Sequence, residues 1–152
     1  GFPYFLNDFA PRLEALFLRV ARFPMPVAFA LNGHTYAGGA IMASAGDIRF
    51  MRADRGRFCF PEVNIKVPFT PLMTEVVRLL PSSAGVWEMM STGVAWGGEE
   101  AVAKGVIEHA VSAEALLPTA MAWATEMAKK DRATYTLIKR RFRVALDVYL
   151  PK

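Results

Sequence analysis

The feature that most constrains this chain is a short apolar run at residues 27–31, which is bounded on both sides by residues that break regular structure. Pro24 and Pro26 precede the run, and the turn-forming pair Asn32-Gly33 follows it. An apolar run of this length between breakers is typical of a strand that is buried on both faces. Such strands belong to parallel sheets, whose connections are usually helices, so the run predicts an α/β fold.

Short apolar segments recur between helical patterns along the rest of the chain. Further strands are predicted at residues 47–51 and 58–60, and a brief extended segment at 106–111. Helices are predicted at residues 5–22, 72–80, 83–92 and 99–104, and over about 113–150, where two helices should meet near Asp131. We expect residues 1–110 to form an α/β core and residues 111–152 a helical extension that serves ligand binding or oligomerisation.

Two details of these helices are explicit expectations. In the first helix, the apolar spacing predicts a buried stripe made of Phe9, Leu13, Leu16, Phe17 and Val20. In the long C-terminal helical region, Pro118 is expected to mark the start of the first helix, because proline is tolerated best in the first turn.

The composition excludes several classes of protein. Hydrophobic residues make up 53% of the chain, which argues against disorder, yet no apolar run approaches the roughly 18 residues of a membrane span. The single cysteine, Cys59, excludes a disulfide framework, and neither His34 nor His109 has partners at metal-ligand spacing. We therefore expect a soluble intracellular protein without a metal, in a compartment that the sequence does not identify.

Positive charge is concentrated at the C-terminal end. Residues 129–152 carry eight basic and two acidic side chains, and KRRFR at residues 139–143 is the densest cluster. This cluster is either a solvated face or a site for a phosphate-bearing ligand, with Phe142 against an aromatic base. Nucleic-acid binding is a poor fit, because the cluster is short and no nucleic-acid module accompanies it.

Two adjacent glycines, Gly38 and Gly39, follow the first predicted strand and open a run of small residues that is compatible with a helix. Glycine at such a place can permit tight packing of helix against strand, where a Cβ would clash. Alternatively, the free N–H groups at the helix start can bind a carbonyl oxygen that becomes negative in a transition state. Neither a dinucleotide fingerprint nor a P-loop is present.

Glu62 is the carboxylate whose setting favours chemistry. It follows the predicted strand at residues 58–60 and Pro61, and precedes an apolar stretch. A glutamate is most often an exposed loop residue, but a carboxylate held between such segments would be desolvated and therefore a better base. Both interpretations remain open from the pattern alone.

Taken together, these segments resemble the crotonase superfamily of enoyl-CoA hydratases and isomerases over about residues 5–145. The resemblance rests on PVAFALNGHTYAGG at residues 26–39, DIR at 47–49, FCFPEV at 58–63 and AVAKGVI at 101–107. It implies a truncated crotonase-like (ClpP/crotonase) core of ββα units with a C-terminal helical region. It also implies that an N-terminal portion is missing, including the other oxyanion donor and much of the loop that binds coenzyme A.

The resemblance also assigns roles to residues. Gly38 matches the glycine whose N–H forms half of the oxyanion hole, and Glu62 matches the second of two hydratase glutamates. The first glutamate would fall at Ile41, and KVPFTP at residues 66–71 replaces the glycine-rich loop of hydratases. A single glutamate opposite an apolar residue resembles the Δ3,Δ2-enoyl-CoA isomerases, which shift a double bond from 3-enoyl-CoA to 2-enoyl-CoA in fatty-acid β-oxidation.

The resemblance implies further ligand contacts and an assembly. The substrate would be an acyl-CoA, with no cofactor beyond the coenzyme A of the substrate itself, and the assembly a homotrimer or hexamer. The expected substrate-binding residues, in addition to Gly38 and Glu62, are Tyr36, Ala37, Gly39, Ile41, Phe69, Leu72, Met73, Lys139 and Phe142. The alternatives are an enoyl-CoA hydratase or acyl-CoA hydrolase, a non-catalytic subunit that binds coenzyme A or aids assembly, and a fragment that is inactive by itself.

Overall fold

A computed structural model describes residues 1–152, apart from the side chain of Phe2. Two three-stranded sheets organise the described residues, in the orders β1-β3-β6 and β2-β4-β5. The strands are β1 Ala28–Leu31, β2 Thr35–Tyr36, β3 Ile48–Arg52, β4 Phe58–Cys59, β5 Ala95–Trp96 and β6 His109–Val111. Every pairing is parallel except that of β4 with β5, which confirms the predicted parallel α/β architecture.

Helices occupy most of the remaining chain. They are α1 Phe2–Tyr4, a π-helix Phe5–Phe9, α2 Ala10–Ala21, α3 Gly38–Ser44, α4 Glu62–Ile65, α5 Pro71–Val77, α6 Ser83–Thr92, α7 Gly98–Ala103, α8 Ala113–Met127, α9 Arg132–Phe142 and a 3-10 helix Val144–Tyr149. The side chains of Ser82, Ser112 and Asp131 cap α6, α8 and α9, and Gly93 ends α6 in the left-handed conformation. Within the described residues, no helix is long and apolar enough to cross a membrane.

One core joins the sheets to the helices. Phe17 of α2, Ile41 of α3, Phe60 beyond β4 and Val76 of α5 are all buried in it. A second, smaller cluster forms where Leu116 and Ala120 of α8 pack near Phe50 of β3. The helical residues after 111 therefore pack directly on the α/β part of the molecule.

One expectation about the helices is wrong, and a second is only partly right. Pro118 does not mark the start of the first helix but lies inside α8, which begins at Ala113, the start of the predicted helical range. The Ser112 hydroxyl caps this start by accepting a hydrogen bond from the Ala115 N–H. In α2, the buried face is formed by Phe17, Leu18 and Ala21, whereas Leu16 is 44% exposed. Phe9, which belongs to the π-helix, is 43% exposed. The predicted stripe is therefore correct at Phe17 and at the partly buried Leu13 and Val20, and wrong at Phe9 and Leu16.

Candidate active site

The last backbone contact between β2 and β4 determines where Gly38 and Glu62 lie. The two strands are parallel and pair Tyr36 with Cys59, and beyond them the Ala37 N–H donates to the Cys59 carbonyl at 3.1 Å. Gly38 follows two residues after the end of β2, and Glu62 three residues after the end of β4. Because neighbouring strands lie about 4.8 Å apart, both residues emerge side by side at the same sheet edge.

The Glu62 carboxyl group is buried and lacks full hydrogen bonding. The residue is 6% exposed, and its Oε2 atom has no hydrogen-bond partner among the described residues. Burial raises the pKa of the Glu62 carboxyl above its ordinary value. Burial, and secondarily the charge of Glu62, raise the pKa of the nearby Cys59 thiol. Of the two interpretations of Glu62, the structure therefore supports the buried, desolvated carboxylate and not the exposed loop residue.

The glycines at the start of α3 are not required by packing within the described residues. A Cβ on Gly39 would meet no atom within 4 Å, and one on Gly38 would meet only Leu13 Cδ2, at 3.8 Å. Packing against a strand therefore does not explain this pair of glycines. Ala37 begins the helix with φ +50° and ψ −123°, a strained backbone for a residue other than glycine. This conformation turns the chain from β2 into α3 within one residue.

The expected acyl-binding residues lie in or against the core next to α3. Ile41 is 2% exposed and Leu72 is 5% exposed, so both are buried in this core. Phe69 stacks edge-on against Phe60 with ring centroids 5.7 Å apart, and Met73 packs on the same core. The structure thus gathers Ile41 and these residues around the helix that begins at Gly38.

The residues expected to contact the remainder of the ligand are placed very differently from one another. Tyr36 is 40% exposed and packs edge-on against His34, and Phe142 is 84% exposed. Lys139, by contrast, is buried, and its ammonium donates to Asp47 Oδ2 at 2.9 Å and to the Met25 carbonyl at 3.1 Å. This ammonium is therefore occupied within the chain, which is not the free phosphate-binding position expected for it.

A cavity of about 630 Å³ lies between α2 and the C-terminal residues. Leu72, one of the expected acyl-binding residues, lines it together with Leu18 of α2 and Tyr149. The Arg22 guanidinium, at the wall of the cavity, is paired with Asp147. The cavity is mainly apolar, with Glu14 and Arg19 as further charged residues in its lining.

A buried ionic cluster was missed by the sequence analysis. Asp47, Arg49 and Arg143 lie within it, and the two arginines are 2% and 9% exposed. A signal was present, because Arg49 stands between two apolar residues of a predicted buried strand, where an unpaired charge would be costly. The chain positions of its partners, however, could not be inferred from that signal.

Comparison with known proteins identifies the family of this chain. The sequence profile described as enoyl-CoA hydratase/isomerase matches residues 4–152. The chain belongs to the enoyl-CoA hydratase/isomerase family. The predicted membership of the crotonase superfamily is thereby confirmed.

Relatives within this family carry different reaction names. Enoyl-CoA delta isomerase 3 of Arabidopsis thaliana is 35% identical over 128 residues, which are 82% of this chain and 52% of that protein. Carnitinyl-CoA dehydratase of Escherichia coli strain K12 is 28% identical over 142 residues, 93% of this chain and 54% of that protein. The chain thus spans about half the length of these curated relatives.

Solved structures of the family have the same fold. An enoyl-CoA hydratase, EchA3, from Mycobacterium ulcerans Agy99 superimposes with a TM-score of 0.81 at 26% identity. The match covers 88% of this chain and 58% of that structure. The predicted crotonase-like fold, truncated and followed by a helical region, is therefore confirmed.

Proposed function

We propose that this family member moves a double bond of an acyl-CoA from the 3-position to the 2-position, as in fatty-acid β-oxidation. The observation that carries the proposal is the buried Glu62 carboxyl group with one oxygen unpartnered, beside the start of α3 at Gly38. An unpartnered buried carboxylate is costly in a folded protein, and such groups concentrate where a proton must be moved.

The reaction requires one base and a stabilised oxyanion. The Glu62 carboxylate takes a proton from the α-carbon of the 3-enoyl thioester, and the C–H electron pair delocalises onto the thioester oxygen. The Gly38 N–H donates a hydrogen bond to this oxygen, an interaction typically worth roughly 3 kcal/mol in such sites. Glu62 then returns the proton to the γ-carbon, and the electrons shift to leave a double bond between the α- and β-carbons. No net oxidation or reduction occurs.

The apolar residue at position 41 favours isomerisation over hydration. Ile41 lies in the first turn of α3, three residues after Gly38, and it is 2% exposed. It can neither donate a proton nor position a water molecule. An apolar side chain at this position excludes water, which protects the enolate and prevents addition of water to the double bond.

Other residues would contact the acyl chain, the thioester and the nucleotide of the substrate. Ile41, Phe69, Leu72 and Met73 would contact the acyl chain, whereas Tyr36, Ala37 and Gly39 would flank the thioester. The exposed ring of Phe142 would contact the nucleotide of coenzyme A, in a homotrimer or hexamer, and Lys139 would act indirectly by supporting α9. No cofactor apart from the coenzyme A of the substrate is needed for this chemistry.

The test is product analysis with the full-length protein. Incubation with 3-hexenoyl-CoA should give the conjugated 2-hexenoyl-CoA, detected by its ultraviolet absorbance and by chromatography. Glu62→Gln should lower kcat by about a hundredfold or more, the scale typical of losing a general base. The matched control is Glu99→Gln, at an exposed position of α7, which should leave kcat unchanged.

Hydration is the second candidate function, because carnitinyl-CoA dehydratases align with 93% of the chain. In that case 2-hexenoyl-CoA would give 3-hydroxyhexanoyl-CoA at least as fast as 3-hexenoyl-CoA is isomerised. Free coenzyme A as product would instead indicate an acyl-CoA hydrolase. Binding of acyl-CoA with no turnover would indicate a non-catalytic subunit, and near-normal turnover by Glu62→Gln would remove Glu62 from the mechanism.

A further inference from the structure

The carboxyl-terminal end of α3 is held by two buried arginines from elsewhere in the chain. Arg49, on β3, donates from Nη1 to the Ala43 carbonyl at 2.9 Å and to the Gly46 carbonyl at 3.1 Å. These carbonyls belong to the last turn of the helix and to the loop just beyond it, where acceptors lack partners within the helix. Arg49 thus binds the end of α3 from the sheet side.

Arg143 binds the same end from the C-terminal region of the chain. Its Nη1 donates to the carbonyls of Ala21 and Ala45 at 2.8 and 2.9 Å, and its Nη2 donates to the Gly46 carbonyl at 2.9 Å. One guanidinium therefore joins the end of α2, the end of α3 and the residue after α9. The planar, fixed arrangement of its donors permits this, and a lysine ammonium could not reproduce it.

Anionic partners compensate both arginines. Asp47 lies 3.1 Å from Arg143 Nη2, and it also accepts from Lys139 Nζ and from the Tyr135 hydroxyl, each at 2.9 Å. Glu108 accepts from Arg49 Nε at 3.0 Å and pairs with its Nη2. Each cation in this cluster contacts a carboxylate, with Lys139 and Arg143 sharing Asp47, so the arginines can remain charged and fixed although they are buried.

We propose that Arg49 and Arg143 are positioning residues that set the location of the Gly38 N–H by clamping the opposite end of α3. This inference rests on the proposed function, in which that N–H stabilises the enolate. The helix has only seven residues, about 10 Å of length, so a displacement at one end is transmitted to the other. An oxyanion donor works over a narrow range of about 2.7–3.1 Å, so a small displacement should lower the rate.

The test compares Arg143→Lys with Arg143→Met and with the control Arg78→Met. Lysine retains the charge opposite Asp47 but loses the fork that joins the carbonyls. Arg78 is an exposed arginine beyond α5 that takes no part in the clamp, so its replacement removes a positive charge elsewhere. The readouts are kcat and KM with 3-hexenoyl-CoA, the thermal unfolding midpoint, and amide hydrogen exchange of α3 by mass spectrometry.

The clamp predicts a specific combination of effects for Arg143→Lys. We expect kcat to fall about tenfold with KM changed less than twofold, and exchange of the α3 amides to accelerate about tenfold. Arg143→Met should show larger effects of the same kind if it folds, and Arg78→Met none. A lowered kcat/KM with a normal rate of amide exchange in α3 would overturn the positioning role. A normal kcat with faster amide exchange would overturn it as well.

The experiment distinguishes failure of the proposed isomerase activity from failure of the arginine clamp. If wild-type protein does not isomerise 3-hexenoyl-CoA, the isomerase proposal falls and with it the catalytic part of this inference. Faster exchange of α3 in Arg143→Lys would then still establish the mechanical clamp, whereas exchange equal to that of wild type would overturn it as well.

Discussion

The Ala37 N–H donates to the Cys59 carbonyl, and this hydrogen bond is the last one that holds β2 and β4 in register. Beyond it, the two strands separate and lead into α3 and α4. Glu62, the proposed base, and Gly38, the proposed oxyanion donor, are therefore related through backbone bonding, independently of their own side chains. Substituting one of them should leave the other in place, so their contributions can be measured separately.

Glu62→Gln should stabilise the folded protein at neutral pH. Burial raises the pKa of the Glu62 carboxyl, so the folded state binds this proton more tightly than the unfolded state does. The stabilisation from the protonated form is present at low pH and is lost as pH rises through the folded-state pKa. Glutamine does not ionise, so we expect the variant to melt about 2–4 °C higher than wild type at pH 7, a gain of about 1 kcal/mol. The difference should disappear near pH 4, and one that is independent of pH would contradict this explanation.

Gly39→Ala should separate folding from ligand binding. A Cβ at this position meets no described atom within 4 Å, and alanine favours a helix over glycine by about 0.5–1 kcal/mol. Chemical unfolding should therefore show unchanged or greater stability, whereas the affinity for an acyl-CoA should fall because the methyl group enters the space beside the thioester. Ala103→Gly, at the end of α7, gives the reverse change in helix propensity away from the site. A destabilised Gly39→Ala would show that packing does require the glycine.

Ile41→Glu should change the ratio of products. Placing a carboxylate at a position that is 2% exposed should cost about 2 kcal/mol or more and should raise the pKa of the new group. The same group could position water, so the ratio of 3-hydroxyacyl-CoA to isomerised product should increase. Ile41→Gln is the matched control, since it introduces a polar group of similar size that cannot transfer a proton. Equal ratios in the two variants would contradict the role given to Ile41.

Asp47→Asn should destabilise the protein strongly. The side chain of Asp47 is 8% exposed, and the substitution leaves the charges of Lys139 and Arg143 without their anion. Removing one partner of a buried ion pair typically costs about 3–5 kcal/mol, which urea unfolding measures readily. Asp54→Asn is the control, because Asp54 pairs with Arg52 at the exposed surface and should have no measurable effect. Similar urea midpoints for the two variants would contradict the structural role of Asp47.

Phe142→Ala and Lys139→Met should have opposite patterns of effect. Phe142 is 84% exposed, so its loss should leave the melting temperature unchanged but weaken binding of a CoA ester. Binding of the corresponding N-acetylcysteamine thioester, which lacks the nucleotide, should not change. Lys139→Met should lower the melting temperature, because it removes two buried hydrogen bonds. If Phe142→Ala weakens both ligands equally, the ring does not contact the nucleotide.

The sequence predicted the elements better than the faces by which they pack. Residues 83–92 were predicted as a helix with Gly93 beyond it, and the structure has those bounds, because a serine cap and a left-handed glycine both act locally. The predicted buried side of α2 was right at Phe17 and wrong at Leu16, since apolar residues occur around more than one side of that helix and the choice depends on distant partners. Pro118 misled the prediction because the start of α8 is capped upstream by Ser112 and the helix is packed through Leu116 and Ala120 near Phe50, a distant partner.

In the candidate site as well, features that depend on neighbouring residues were predicted, whereas those that depend on residues far away in the sequence were not. The local pattern made Glu62 and Gly38 candidates, and the resemblance to the crotonase superfamily gave them their roles. The parallel pairing of β2 with β4 brings them to one edge of the sheet. Lys139 was interpreted from its basic neighbours, although its position depends on Asp47, which lies 92 residues earlier. No local pattern in the last helix indicates that this lysine points inward.

These long separations bear on the order in which the chain can fold during synthesis. Arg143 bonds to Ala21 across 122 residues, and Arg22 pairs with Asp147 across 125. Contacts of such high sequence separation form late, since a long loop must close before they contribute. On the ribosome, Asp47 and the end of α3 would emerge well before the cations that neutralise and clamp them. Until Lys139 and Arg143 have left the exit tunnel, the nascent chain lacks the cations that pair with Asp47, so native packing around the end of α3 must wait for α9 and the residue after it.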